Sequence, residues 1–307
     1  QAGYPEDVPQ FTRQPKRPDP RLADLEYTAL CSLRKKDEAI SGAIRFLEKV
    51  PAAAEFRLRI GQDLLAEERF IEALDLFRVG ARHDPRSHVM AGGEAAACLG
   101  LGRMVECRAA VERRLALLPL DPMVRSHWLA LHSGMSSVSA PDLLEMGLKW
   151  DDLFGTAGRE ASSASSRAAG GAGDGRVRIG FVSSTFRHHA NCQFLLPLLE
   201  ALDRKRFAIF AYHDGSHRDE VTKRCEKAVD RFRSIHGLPG PAALQVIRED
   251  RIDVLIDINA HYDSARMMLF TYRLAPVQVH YLGGTATTGL RGMDWRLADD
   301  LNEPDEG

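Results

Sequence analysis

The chain lacks the signatures of several large protein classes. It has five cysteines, Cys31, Cys98, Cys107, Cys192 and Cys225. The number is odd and no two have CxxC spacing, so neither a disulfide framework nor a zinc site is expected. Reduced thiols in the cytoplasm are the simplest reading. There is no HExxH pair, and His188 and His189 are adjacent, so they diverge on most backbones; no metal is expected. Lys and Arg number 41 against 43 Asp and Glu. No basic run tracks a phosphate backbone, which excludes nucleic acid as the expected partner. The richest apolar stretch, Phe194 to Leu202, is broken by Pro197 and Glu200. No membrane span is expected, and the N-terminus carries no charged-then-apolar leader. The GxGxxG fingerprint is absent, which disfavours a dinucleotide-binding module, and no cofactor is expected.

What is present is periodic. Pro51, Pro85 and Pro119 stand 34 residues apart. Glu38, Glu72 and Glu106 keep the same step, as do Ala39, Ala73 and Cys107, and Tyr27, Gly61 and Ala95. Small residues at these offsets allow two helices to cross closely, and proline ends the second helix of each unit. The pattern resembles the tetratricopeptide repeat, with units at about 20–53, 54–87 and 88–121 and a capping helix over 122–132. Residues 1–20 read as a Pro-rich lead-in and 21–135 as the helical repeats. Residues 136–175 read as a helix and linker. Within them, 15 of the 19 residues of 157–175 are Gly, Ala or Ser, a composition expected to be exposed and without regular structure. The glycine cluster at 170–175 precedes a strand and does not follow one, so it is no phosphate loop.

From residue 176 to 307 the pattern becomes α/β. Strands are expected at Val177–Ser183, Phe207–Tyr212, Phe232–Ile235, Asp253–Asn259, Val277–Leu282 and Trp295–Ala298, with helices between. Alternation of this kind implies a Rossmann-like parallel sheet covered on both faces. Ligands of such sheets sit beyond the carboxyl ends of the strands. The segments expected there are 183–189, His213-Asp214-Gly215, 259–262 and 283–289. His189 and His261 stand out because each follows an apolar strand at that edge. The turn at Gly283–Gly289 offers close backbone approach and Thr hydroxyls to sugar or phosphate oxygens.

Three motifs carry a family resemblance. The first is Arg178-Ile179-Gly180-Phe181-Val182-Ser183-Ser184-Thr185-Phe186-Arg187-His188-His189. The second is Asp257-Ile258-Asn259-Ala260-His261-Tyr262, reaching Arg266. The third is Arg273-Leu274-Ala275-Pro276-Val277-Gln278 through Tyr281-Leu282-Gly283 to Thr287-Thr288-Gly289, then Met293-Asp294-Trp295. Together these resemble the O-linked N-acetylglucosamine transferases and their bacterial SPINDLY-like relatives. The departures fall in loops: Ala190 stands where the family has Pro, Cys192 and Ala260 where it has Gly, and Gly284-Thr285-Ala286 where it has Tyr-Pro-Gly.

The resemblance implies the first half of a two-Rossmann glycosyltransferase, moving a sugar from a nucleotide donor to Ser or Thr of a protein. UDP-N-acetylglucosamine is the implied donor, with GDP-fucose as the alternative. The repeats would hold the protein or peptide acceptor. His189 becomes the catalytic candidate, as a hydrogen-bonding group or a base. His261, Tyr262, Leu282, Gly283 and Thr287 become candidates for lining the substrate cleft. The family places its donor-holding half after this region, so residues 1–307 alone are expected to be inactive. The competing expectation is a non-catalytic interaction protein carrying a degenerate transferase domain.

Overall fold

The computed structural model describes residues 18–135, 137–163, 175–262, 266–284 and 287–299. The chain divides into two compact units, with the boundary between Pro119 and Leu120.

Among the described residues, the first unit is three helix pairs. Helices α1 (Pro20–Ser32) and α2 (Lys36–Lys49) form the first, α3 (Ala54–Ala66) and α4 (Phe70–His83) the second, α5 (His88–Gly100) and α6 (Met104–Leu117) the third. The 34-residue step is kept down to single hydrogen bonds. Each turn within a pair passes through a left-handed residue: Arg34 (φ 60°), Glu68 (φ 58°) and Gly102 (φ 68°). The next amide then reaches back five residues, Lys35 to Leu30, Arg69 to Leu64 and Arg103 to Cys98, at 2.8–2.9 Å. This closes the helix end in the manner of a Schellman turn. Pro20 occupies the first turn of α1, capped by the Asp19 carboxylate on the Arg21 amide, where a missing N–H costs nothing.

The core of this unit turns on Phe77 of α4, which is fully buried. A Cβ on Gly61 of α3 would lie 2.8 and 2.9 Å from two of its ring carbons and closer to a third. A Cβ on Gly93 of α5 would be closer still. The ring is wedged between two helices that approach it with bare backbone, which is what the small residue at 61 signals in the sequence.

The second unit opens with α7 (Pro122–Ser133), α8 (Ala140–Phe154) and α9 (Thr156–Ser163). The helix expected to cap the repeats is α7, and it lies in this unit. Its Leu129 and Trp150 of α8 belong to one core with Val182, Tyr212, Leu255 and Phe270. The Trp150 indole N–H donates to the Pro122 carbonyl at 3.0 Å. Residues 157–163, placed in the linker by composition, are helical instead, as part of α9. Gly158 there fits against the backbone of Thr271, where a Cβ would lie 2.7 Å from carbonyl atoms. A packing partner outweighs the weak intrinsic preference of the segment. The remainder of the linker, 164–174, and residues 1–17 of the lead-in lie outside the described residues.

Six parallel strands follow: β1 (Val177–Ser183), β2 (Phe207–His213), β3 (Arg231–Ser234), β4 (Val254–Asp257), β5 (Val277–Tyr281) and β6 (Trp295–Leu297). Their order is β3-β2-β1-β4-β5-β6. Between them run α10 (Ala190–Ala201), α11 (Glu220–Lys227), α12 (Gly240–Glu249) and α13 (Met267–Thr271). Alternation along the strands separates the two faces. Val182, Ala208, Phe210 and Tyr212 pack on one side, Phe181, Ile209 and Ala211 on the other with Leu195 and Leu199 of α10. The strand order reverses between β1 and β4, so the crevice of this sheet opens there, beyond the carboxyl ends.

Candidate functional site

The β1 loop is held shut from three sides. Ser183 Oγ accepts from the Thr185 amide at 2.9 Å, and the Ser184 amide donates to Asn259 Oδ1 at 3.1 Å across the crevice. The Thr222 hydroxyl of α11 donates to the Phe186 carbonyl at 2.6 Å, and the His188 amide donates to the Asp219 carboxylate at 2.7 Å. Asp219 caps α11 and also accepts from the Thr222 amide. Burial opposes its charge, but the amides of His188, Thr222 and Val221 and the Thr222 hydroxyl bring its pKa down to about 2.

His189 sits where this loop becomes α10, half-buried, with His188 exposed beside it. His189 is the N-cap of the helix: its Nδ1 accepts from the Asn191 amide at 3.1 Å. That contact requires an unprotonated Nδ1, so the neutral ring carries its proton on Nε2. Asn191 in turn donates to the Ile258 carbonyl at 3.2 Å, tying the first turn of α10 to the end of β4.

The β4 loop is built on Asp257. Its carboxylate accepts from the amides of Asn259 (3.2 Å) and Ala260 (2.8 Å) and pairs with His280 Nδ1 of β5 at 2.9 Å. Both residues are buried, and a buried charge needs such partners. Ala260 is pushed to φ 48°. His261 follows and points inward. Its Nδ1 meets Ser126 Oγ of α7 at 3.0 Å, its Nε2 meets the Thr288 carbonyl at 2.8 Å, and the Trp150 ring lies edge-on at 5.4 Å. The carbonyl can only accept, so Nε2 donates and Nδ1 accepts from Ser126. Burial lowers the pKa of this ring. Expected to line the cleft, His261 instead has both nitrogens occupied within the fold, 3% exposed.

The other candidates fall around it. Tyr262 is exposed, and its hydroxyl hydrogen-bonds Ser133 of α7. Its ring covers Gly284 (φ 98°), where a Cβ would lie 2.5 Å from Cε2. Leu282 takes φ 73° to turn out of β5. Gly283 is buried with its Cα against the β4 loop: a Cβ would lie 2.5 Å from the Ala260 nitrogen and closer to the Asn259 carbonyl carbon. Glycine is required there for backbone to touch backbone. Thr287 is half-buried, its hydroxyl accepting from the Gly289 amide at 3.2 Å. The loops of β1, β4 and β5 therefore do meet. Asn191 joins the first to the second, and Gly283, Gly284 and Thr288 join the second to the third.

Two side-chain pairings were not foreseen from the sequence. Asp214, at the end of β2, holds Arg266 in a two-pronged pair, Nε to Oδ2 and Nη2 to Oδ1, both 2.8 Å. Arg266 also donates to the carbonyls of Ile235 and Leu238. The other is the Asp257–His280 pair. The available signal was the charge itself: an Asp inside the apolar run DVLIDIN must be paired when buried. A cavity of about 360 Å³ lies between α7 and α8, lined by Trp128, Trp150, Arg125 and Lys149 among others, and none of the expected site residues lines it. No group of three His, Cys, Asp or Glu side chains suited to a metal occurs among the described residues. None of their helices is long and apolar enough to cross a membrane.

Comparison with known proteins gives a consistent answer. Residues 161–306 match the model of glycosyl transferase family 41. A probable UDP-N-acetylglucosamine–peptide N-acetylglucosaminyltransferase SEC of Arabidopsis thaliana is 29% identical over 130 residues, 42% of this chain and 13% of that protein. A probable transferase of the same kind, SPINDLY of Arabidopsis thaliana, is 29% identical over 132 residues, 42% of this chain and 14% of that protein. The chain thus spans about a seventh of these relatives. A solved Thermobaculum terrenum O-GlcNAc transferase mutant shares the fold, with a TM-score of 0.76 at 22% identity over 97% of this chain and 55% of that one.

Proposed function

We propose that this chain, which matches glycosyl transferase family 41 over residues 161–306 and resembles the SEC and SPINDLY transferases, supplies the acceptor-facing part of an inverting glycosyltransferase. This enzyme moves a sugar from a nucleotide donor to Ser or Thr hydroxyls of proteins. The relatives are named for UDP-N-acetylglucosamine as donor, and the same nucleotide sugar is the donor here, with GDP-fucose as the alternative. The helical repeats bind the acceptor protein, in the cytoplasm.

One observation carries the reading. His189 is fixed by its cap on the Asn191 amide, beside the crevice where the strand order reverses. With Nδ1 accepting in this way, the neutral ring carries its proton on Nε2, which suits His189 to act as a hydrogen-bonding group toward an oxygen of the acceptor or the donor sugar. A base would need the opposite tautomer. His261, Leu282, Gly283 and Thr287 shape the wall behind it, and Tyr262 is the exposed member of that group. Losing one preorganised donor lowers turnover by roughly 10²- to 10³-fold.

The test is a transfer assay on the whole protein that carries this chain, with a radiolabelled nucleotide sugar and a Ser/Thr peptide. His189→Ala should lose about 10²-fold or more, and His188→Ala should lose little. Equal, small effects would remove His189 from the chemistry. They would favour the competing reading, a non-catalytic repeat scaffold, which draws on His261 being occupied within the fold.

A further inference from the structure

Cys192 and Cys225 lie on neighbouring helices of the α/β unit, α10 and α11, with their sulfurs 3.5 Å apart. Both are buried, at 2% and 0% exposure, and both are free thiols. Neither has a part in the proposed transfer. Two thiols buried in contact are unusual in an apolar layer, where Ala or Val would fill the space with no reactive group. The pair sits among Phe186, Leu195, Leu196 and Leu199.

The geometry points to Cys192 and Cys225 as a redox modification site, a dithiol that closes to a disulfide when a hydroperoxide or a small disulfide is the oxidant. A disulfide needs its sulfurs at about 2.0 Å, so each has to move by less than about 1 Å from where it stands. The two thiols are not equivalent. The Cys225 thiol hydrogen-bonds to Cys192, which lowers the Cys192 pKa and raises that of Cys225. The Arg187 amide adds a second hydrogen bond toward the Cys192 sulfur, against the opposing effect of burial. Cys192 also occupies the first turn of α10, where the amide ends favour an anion. Cys192 is therefore the attacking thiolate and Cys225 the resolving thiol.

The step balances. The Cys192 thiolate attacks one oxygen of hydrogen peroxide, the O–O bond breaks, and water leaves after protonation, giving the sulfenic acid. The Cys225 sulfur then displaces that hydroxyl as a second water, carrying off its own proton. Two thiols are oxidised by two electrons and one peroxide is reduced to two waters. With a small disulfide as oxidant, exchange runs through a mixed disulfide and releases two small thiols. Access is through the first turn of α10, since helix ends open at lower free energy than helix centres. The bond would staple α10 to α11, and both hold the His188–His189 loop, α10 through its cap and α11 through Asp219.

This inference does not depend on the proposed transfer, and its test uses thiol chemistry alone. The folded 307-residue chain is treated with hydrogen peroxide, quenched with an alkylating agent, digested and mapped by mass spectrometry. The expected product is a Cys192–Cys225 cross-linked peptide that has lost two hydrogens and is restored by dithiothreitol. Cys98 and Cys107, equally buried, should remain alkylatable once the chain is unfolded. Cys225→Ser should divert the reaction, leaving a Cys192 sulfenic acid that dimedone traps. Cys192→Ser should leave Cys225 unreacted. Failure to find the cross-link when Cys31 in the same sample is oxidised would overturn the proposal. So would a cross-link that forms equally with Cys98 or Cys107.

Discussion

Phe77 and the glycines that flank it allow a sharp test of the repeat packing. Gly61→Ala adds one methyl to α3. Carbon atoms in contact prefer about 3.5–4.0 Å, whereas the new Cβ would sit 2.8 and 2.9 Å from two ring carbons of Phe77 and nearer a third. The ring has to retreat by about 1 Å. It has nowhere to go, because the backbone of Gly93 bounds its other side even more tightly. Overpacking of this kind costs about 1–3 kcal/mol, and the rigid wall places this case near the upper end. Replacing Gly by Ala in a helix interior returns about 1 kcal/mol. The net loss is about 1–2 kcal/mol, which for a unit of about 100 residues lowers its melting midpoint by roughly 5–15 °C. Thermal unfolding followed by far-UV circular dichroism reads this directly. The decisive control is the same substitution in a Phe77→Leu background, where the shorter side chain vacates the clash and Gly61→Ala should become neutral or stabilising. An equal cost in both backgrounds would show that the ring is not the obstacle, and a raised midpoint in the single variant would refute the wedge outright.

Two more outcomes follow from the geometry. Glu68 adopts the left-handed turn that Gly102 adopts one repeat later, so Glu68→Gly should stabilise the first unit by about 0.5–1 kcal/mol; a denaturant midpoint that falls would count against it. His213 and His261 both have pKa values lowered by burial. Both rings therefore stay neutral when folded, while the unfolded chain takes up protons below about pH 6.5. The stability these rings contribute to the α/β unit is present above the unfolded pKa and should be lost as pH falls below about 6.5, by at most about 1.4 kcal/mol per pH unit for each ring. Urea midpoints on both sides of that pH test it, and His261→Gln should make the decline shallower; a flat profile in the parent chain would remove the histidines as its cause.

The fold was legible where the pattern was dense. Proline and small residues at a fixed step gave the repeat phase, and every strand found lies within two residues of its expected ends. What was not legible was which partner would claim a residue. His261 reads from the sequence as a ligand at a strand end, because nothing local shows that Ser126, 135 positions earlier, takes its Nδ1. Residues 157–163 read as linker because Gly, Ala and Ser dominate, and Thr271, more than a hundred residues on, supplies the surface on which Gly158 packs. His189 was legible as a site candidate from the loop and motif, but its tautomer was not, since that depends on the single amide of Asn191. Asp214 and Arg266 lie 52 residues apart and meet only once the sheet has closed.

The place where α7 and α8 belong bears on how such proteins can be cut and recombined. The family match begins at residue 161, and the Gly/Ala/Ser-rich segment beside it looks like a natural seam. Excision there would strand Trp150, Leu129 and Ser126 on the wrong side, opening the core and leaving the buried nitrogen of His261 unpaired. A lost partner of that kind costs about 1–3 kcal/mol by itself, and the missing indole leaves a hole worth about 3–5 kcal/mol more. Every residue of that core lies after residue 120, outside the repeat unit. The transferable block therefore starts three helices upstream of the motifs, at α7, and a gene fusion that respected only the motifs would deliver a domain unable to close.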